Sequence, residues 1–390
     1  MNLFLYASCV QAKNREIIKM ATLSKTNLLN HSEAKVKLFG DYIQKYLNII
    51  SNDKYTTDIH LYDLFCGPGI YDNGGEGSPI IALKKIKDTH YKQIKSKGNK
   101  LKINCYFNDI DEEKIRSLSE NIKNNKLYYN NFGSLNLTSK DYLNIIQELP
   151  KELSKYKNEK AFIFIDPYGY KEVKAAHILN LLECKKKSEV LLWLPIQHMY
   201  RFSKNGTPSV LDNFNTQLGI NKDSISNEWD YIGFLKEGFQ KYIGNNFFVD
   251  SFSLKKEENT VFCLFFFSSH IRGYEKMLET KWQIDKEQGK GWEYSGNKPT
   301  LFSEIKTNPL EEDILKFLKD TPRKNGEIYE FTLRKGFLTT HATQVLKKLQ
   351  SLNKISTIEK DGSKARKGSF YINYENYKNN FGRITVKRIS

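Results

Sequence analysis

The sequence predicts an α/β fold with a largely parallel sheet, followed by a small helical domain that ends in a β-hairpin. Three observations carry this. Four short apolar runs, at residues 59–65, 102–107, 161–165 and 190–194, each lead into a turn or loop, with helical patterns after the first two, as buried parallel strands do. Two later runs, Phe247 to Leu254 and Val261 to Phe267, are separated only by the polar stretch Lys255 to Asn259 and read as an antiparallel hairpin closing that sheet. After Thr307-Asn308-Pro309 the composition changes, and a pattern of three helices and two strands follows.

The 390 residues accommodate one α/β domain and a smaller one, since domains usually run about 100–200 residues. Lys+Arg 61 against Asp+Glu 45 gives a net charge of +16. Such a balance suits a polyanionic partner, nucleic acid first and a membrane surface second; lysine spread over solvated faces is the plainer explanation. The five cysteines are scattered, with no C-x-x-C pair and no Cys/His cluster. Neither structural zinc nor a disulfide framework is indicated, no metal site is expected, and the usage is that of a cytoplasmic chain. Residues 1–27 read as a leader, apolar at first but lacking a basic start and too short to span a membrane, with Met20 as an alternative start.

From Ser32 the spacing of Val36, Phe39, Ile43, Tyr46, Leu47 and Ile50 predicts an amphipathic helix with Ser32 as its cap and Lys35 near its ligand-facing end. The first strand, with Asp63 inside it, runs through Phe65 into Cys66-Gly67-Pro68-Gly69. Two glycines let the backbone turn sharply and approach a ligand with no Cβ in the way. Ser78-Pro79 then opens a helix to Ile86, Ser78 as N-cap and Pro79 at its first position. Strand, glycine turn and helix form a ligand crevice at the carboxyl end of a first strand. A dinucleotide site wants G-x-G-x-x-G leading straight into the helix. Here residues 70–77 delay the helix and no third glycine falls at that spacing. S-adenosylmethionine carries no phosphate and suits the stretch better. Gly67 and Gly69 then shape the methionine pocket and Asp63 binds its ammonium.

The second strand, Lys102 to Phe107, ends in Asn108-Asp109-Ile110-Asp111. An acid there accepts both ribose hydroxyls. Asp109 is the candidate, and a Lys-rich insertion explains why it follows Gly69 by forty residues. Asp111 is the runner-up, unless it caps the helix Glu112 to Ile122. A short third strand, Leu135 to Thr138, precedes Asp141-Tyr142. Asp141 either accepts from the adenine amine or caps the helix Tyr142 to Leu149. The fourth strand, Ala161 to Ile165, ends in Asp166-Pro167-Tyr168-Gly169. Amino-methyltransferases place an acid or amide, Pro-Pro and an aromatic residue here. The oxygen and the proline carbonyl accept the amine's hydrogens while the ring stacks on the base. Tyr168 stands where the second proline is expected, which leaves the accepting atom open.

After the fifth strand, Gln197, His198 and Tyr200-Arg201-Phe202 are expected to line a loop, residues 203–245 to form a helical lid or substrate-side insertion, and Gly273 to Trp282 a closing helix. A parallel sheet finished by an antiparallel hairpin is the seven-stranded methyltransferase arrangement, a Rossmann-like sheet without the dinucleotide fingerprint.

In residues 308–380, helices around Ile314 to Leu318, Ile328 to Leu333 and Thr339 to Leu352 precede strands at 355–358 and 369–372. These predict a winged helix whose third helix presents Thr339, Thr340, His341, Gln344, Lys347 and Lys348 outward, and whose tip carries Lys364, Arg366 and Lys367. Nucleic acid is the favoured partner and a protein surface the alternative. Residues 381–390 are expected to be a frayed basic tail.

The runs Tyr62 to Leu83, with Asp72-x-Gly74-x-x-Gly77-Ser78-Pro79, His31-Ser32-x-x-Lys35, Phe164 to Gly169, and Trp282 to Trp292 with Gly289 and Gly291, resemble the three-Cys-motif partner (TcmP) family of bacterial methyltransferase-like proteins. The resemblance covers roughly residues 28–300. It implies a methyltransferase-like domain over 28–303, a ligand contact for Lys35, and a genomically linked three-Cys-motif protein as a partner. The leading expectation is an S-adenosylmethionine-dependent methyltransferase acting on nucleic acid, in a phage-related or defence context. The competing one is a non-catalytic or vestigial cofactor-binding domain that carries a winged-helix interaction module.

Overall fold

The computed structural model describes residues 30–95, 101–184, 187–204, 207–256, 260–286, 288–293 and 308–389. The expected leader, residues 1–27, and the tip of the sheet's hairpin, residues 257–259, lie outside them. The chain divides into two compact units, 1–172 and 173–390.

In the first unit, helix α1 (Asn30–Ile50) buries Leu38, Phe39, Tyr42, Ile43 and Leu47, at the three-and-four spacing expected. Ser32 falls inside this helix and not before it, so it is not the cap. Strands β1 (Asp58–Asp63), β2 (Lys102–Asn108), β3 (Leu135–Thr138) and β4 (Lys160–Ile165) alternate with helices α2 (Ser78–Thr89), α3 (Glu112–Asn124) and α4 (Tyr142–Lys155). β1 pairs in parallel with β2 on one side and β4 on the other, Asp63 standing level with Phe107 and Phe164. The turns that follow these three strands therefore emerge side by side. Phe39 packs on Phe164 with ring centroids 4.8 Å apart, which seats α1 on the sheet. Ser78 is not the N-cap of α2. Gly77 holds that position, and the Ser78 hydroxyl is turned inward onto Asp63.

The second unit begins with α5 (Ala175–Glu183) and β5 (Ser188–Leu194), buried along its whole length. Residues 196–202 form a helix, α6 (Ile196–Lys204), where the sequence predicts a loop; its apolar Ile196 and Met199 are both fully buried. Helices α7 (Ser209–Gln217) and α8 (Glu228–Ile243) follow, then β6 (Phe248–Lys256), β7 (Thr260–Ser268) and α9 (Ile271–Ile284). β7 lies antiparallel to both β5 and β6. A strand that sequence alone does not suggest, β8 (Gly291–Glu293), adds in parallel to β6. Gly291 admits it, since a Cβ there would come within 2.8 Å of the Ser253 carbonyl oxygen. The sheet order is β3-β2-β1-β4-β5-β7-β6-β8. Its first seven members have the order and the antiparallel β7 of Rossmann-like methyltransferases.

The unit ends in a winged helix: α10 (Asn308–Phe317), β9 (Arg323–Lys324), α11 (Asn325–Arg334), α12 (Thr339–Ser351), β10 (Ile355–Glu359), α13 (Tyr374–Asn379) and β11 (Ile384–Arg388), with sheet order β10-β11-β9. Two expectations fail here. Residues 369–372 are not a strand, because Tyr371 adopts φ 52; Phe370 and Ile372 are buried, with the Asn325 amide bonded to the Tyr371 carbonyl. The partner of β10 is the supposed tail. Ile384 and Val386 are fully buried, and Thr357 stands level with Val386. His341 is also buried, 4.2 Å from Trp282 between ring centroids, and does not face outward.

Candidate functional site

In the first unit the glycine turn after β1 is shaped by backbone requirements. Gly67 and Gly69 have φ 64 and 80, and a Cβ on Gly69 would lie 2.5 Å from a Leu118 methyl. Either substitution is strained in this left-handed region. The turn is tied to its neighbours by Leu64 N–H donating to the Phe164 carbonyl (3.1 Å) and Cys66 N–H to the Asn108 carbonyl (2.8 Å). Phe65 packs against Tyr142, centroids 5.0 Å apart.

Asp63 is fully buried and accepts from the Ser78 hydroxyl (2.6 Å) and the Phe65 amide (3.3 Å). Burial pushes its carboxyl up to about 7, while those two donors pull the other way. Asp63 thus fastens strand, turn and helix to one another. Asp109 is 2% exposed and accepts from Gly67 N–H (3.2 Å), Asp111 N–H (3.0 Å) and the Lys114 ammonium (3.3 Å). Asp111, the runner-up, caps α3 through Glu113 N–H. Asp141 does the same for α4 through Leu143 N–H (2.6 Å). The Asn108 side chain accepts from Thr138 and from Lys140 N–H (2.8 and 2.9 Å), holding the loop before Asp141 against the end of β2.

At the end of β4, Asp166 forms a short ion pair with Lys35 of α1, both side chains less than a fifth exposed. Tyr168 is 65% exposed. Its hydroxyl bonds the Lys114 ammonium, which lies 4.6 Å from the ring centroid. The ammonium therefore makes both a hydrogen bond to the hydroxyl and a cation–π contact with the ring. Sequence alone does not single out Lys114. It lies five residues after Asp109, one turn into α3, the signal that could have found it. Burial lowers its affinity for a proton, but Tyr168 and Asp109 together raise it, so it stays charged. The site therefore gathers the carboxylates of Asp63, Asp109 and Asp166, the ammonium groups of Lys35 and Lys114, and one exposed aromatic ring at adjacent strand ends. Asp141 lies apart from these bonded groups, at the cap of α4.

In the second unit, Thr340, Gln344, Lys347, Lys348 and Ser351 make the exposed stripe of α12. Lys348 is paired with Glu311 at 2.7 Å. In the wing, Lys364, Arg366 and Lys367 are exposed around the buried Ala365, whose N–H donates to the Thr357 carbonyl (3.1 Å). Gly368 N–H donates to the Gln350 side chain (2.8 Å), fixing the wing's base to α12. No described helix is long and apolar enough to cross a membrane.

Among solved structures, protein LPL1258 from Legionella pneumophila is similar over 60% of this chain and 84% of its own, with 12% identity and a TM-score of 0.36. An O-methyltransferase from Bacillus cereus in complex with SAH matches over 65% and 89%, with 13% identity and a TM-score of 0.32. A putative rRNA-methylase from Clostridium thermocellum matches over 57% and 94%, with 9% identity and a TM-score of 0.27. The fold rests on the strand order above. No curated protein matches the chain. Residues 284–362 match the family model described as a GMT-like wHTH domain, in agreement with the winged helix built by α10 to β10.

Proposed function

We propose that the chain is an S-adenosylmethionine-dependent methyltransferase whose acceptor is a nucleic acid. The observation that carries this reading is the gathering of Asp63, Gly67 and Gly69 after β1, Asp109 after β2 and Asp166-Pro167-Tyr168 after β4, on three adjacent strands. The residues fit the cofactor chemically. Three carboxyl groups outnumber the two ammonium groups, and S-adenosylmethionine carries a net positive charge. Asp109, already ordered by two backbone amides, holds the ribose diol. Lys35 serves the methionine carboxylate when it leaves Asp166, and Gly67 gives the ligand a close backbone. Phe65 and Asp141 border the adenine end. The cofactor when bound supplies an electrophilic methyl group.

The chain's own residues do the remaining work. Asp166 and the Pro167 carbonyl accept the hydrogens of the acceptor nitrogen, and Tyr168 stacks on its ring, a contact worth about 1–3 kcal/mol. The rate comes from alignment and exclusion of water. Lys347, Lys348, Lys364, Arg366 and Lys367 hold phosphates, which carry affinity but no sequence information. The TcmP resemblance supports a three-Cys-motif protein as partner and a phage-related or defence setting. Incubation of the purified protein with methyl-labelled S-adenosylmethionine and cellular RNA or DNA tests the reading. Label transferred to one of them supports it; cofactor binding without transfer favours the non-catalytic alternative, for which the Lys35–Asp166 pair is the motive.

A further inference from the structure

The turn from Gly69 to Gly77 is a small closed hairpin. Gly77 N–H donates to the Gly69 carbonyl (2.6 Å), Tyr71 N–H to Gly75 (2.9 Å) and Gly74 N–H to Tyr71 (2.8 Å), while Ile70 and Glu76 form a β-bridge. The backbone of Tyr71 is therefore pinned on both sides, which leaves side-chain rotation as its way to move. That side chain folds back over the glycine turn. Its hydroxyl lies 3.2 Å from where a Cβ of Gly67 would stand, and its ring 3.3 Å from the corresponding place at Gly77. The space that two missing side chains leave open is filled by the phenol. Burial, and then the fields of Asp166, Tyr168, Asp63 and Asp109, hold its hydroxyl well above the usual tyrosine range. A neutral phenol thus stands among the groups to which the methionine end, the ribose and the acceptor are assigned above.

From this placement we infer that Tyr71 is a plug for the cofactor cradle: its ring, with the hydroxyl towards Gly67, fills the space between Gly67 and Gly77 and must rotate out before the cofactor enters. The inference rests on the proposed cofactor site. It gives the missing Cβ of Gly67 two uses, room for the phenol and room for the ligand. Rotation about the Tyr71 side chain is enough, because the hairpin's backbone bonds do not need to break. The apparent affinity is then the intrinsic affinity reduced by the fraction of molecules with the ring out.

The test is calorimetric titration of S-adenosylhomocysteine into the full chain and into Tyr71→Ala and Tyr71→Phe, with thermal unfolding as a check on folding. Tyr71→Ala removes the plug and is expected to tighten binding about tenfold, the gain for an open rotamer populated about one part in ten. Tyr71→Phe keeps the ring and stays within about twofold of the native chain. Unchanged or weaker binding by folded Tyr71→Ala, beside normal binding by the native chain, overturns the plug and leaves the cofactor site standing. Equally tight binding by Tyr71→Ala and Tyr71→Phe assigns the effect to the hydroxyl and also overturns it. If none of the three proteins binds, the cofactor site itself is refuted, and the plug with it.

Discussion

Replacing Asp109 by Asn tests the ribose assignment with the least disturbance. Asp109→Ala would also free the Gly67 and Asp111 amides, and a buried donor left without its acceptor costs about 1–3 kcal/mol. Its effect on binding would be mixed with a loosened turn. Asp109→Asn keeps the volume of a residue only 2% exposed and keeps one acceptor oxygen, which serves the Gly67 amide or the Asp111 amide but not both, since the two bond different oxygens. What it removes is charge and the second acceptor oxygen, so the diol loses both charge-assisted bonds and keeps at most one neutral one. A charge-assisted bond is worth about 1.5–3 kcal/mol, or roughly ten- to a hundredfold in Kd. The freed amide also faces the Lys114 ammonium, 3.3 Å from the present carboxylate, which adds to the loss. Titration of S-adenosylhomocysteine against the folded variant reads this directly. Affinity within about twofold of the native chain would remove Asp109 from the site.

Neutralising Lys364, Arg366 and Lys367 together should weaken duplex DNA binding and flatten its salt dependence by about 0.9 slope units for each phosphate no longer neutralised; an unchanged slope in a salt titration would make the wing a protein-contact surface. Burial lowers the His60 imidazole to about 4, so the unfolded chain takes up a proton first as pH falls. His60 should therefore cost the fold nothing above about pH 6.5 and progressively more towards pH 4, and urea midpoints of His60→Phe should fall less steeply over that window than those of the native chain. Gly69→Ala combines φ 80 with a methyl 2.5 Å from Leu118 and should lower stability by about 2–3 kcal/mol, measured by denaturant unfolding.

Much of the sheet is legible in the sequence because parallel strands buried on both faces show as plain apolar runs, and residues 161–165 are the clearest instance. The strand order follows from the hairpin at residues 247–267. What stays hidden depends on pairing between distant parts of the chain. β8 is three residues long, and its place is set by the fit of Gly291 against Ser253. β11 reads as a tail because its basic residues mask an inward Ile384 and Val386. The false strand at 369–372 shows the reverse: Phe370 and Ile372 alternate as a strand would but are buried by a turn at Tyr371.

The candidate site is legible at the strand ends, where Asp63, Asp109 and Asp166 stand in an otherwise apolar setting. Apart from Lys35, which pairs with Asp166, their partners are not. Ser78 looks like a cap and is a donor to Asp63, while Lys114 and Tyr71 look like ordinary helix and loop residues. A motif places a residue at a strand end, but side-chain partners are set by the packing of several elements.

The account's central claim is methyl transfer at the end of β4, so the most direct measurement compares the native chain with Asp166→Ala. Both are incubated with methyl-labelled S-adenosylmethionine and cellular RNA and DNA, and their S-adenosylhomocysteine affinities are measured in parallel. The claim predicts label on a nucleic acid with the native chain, and loss of most of that transfer in Asp166→Ala while cofactor binding persists. Full transfer by Asp166→Ala, or no transfer by a native chain that binds the cofactor, would contradict it.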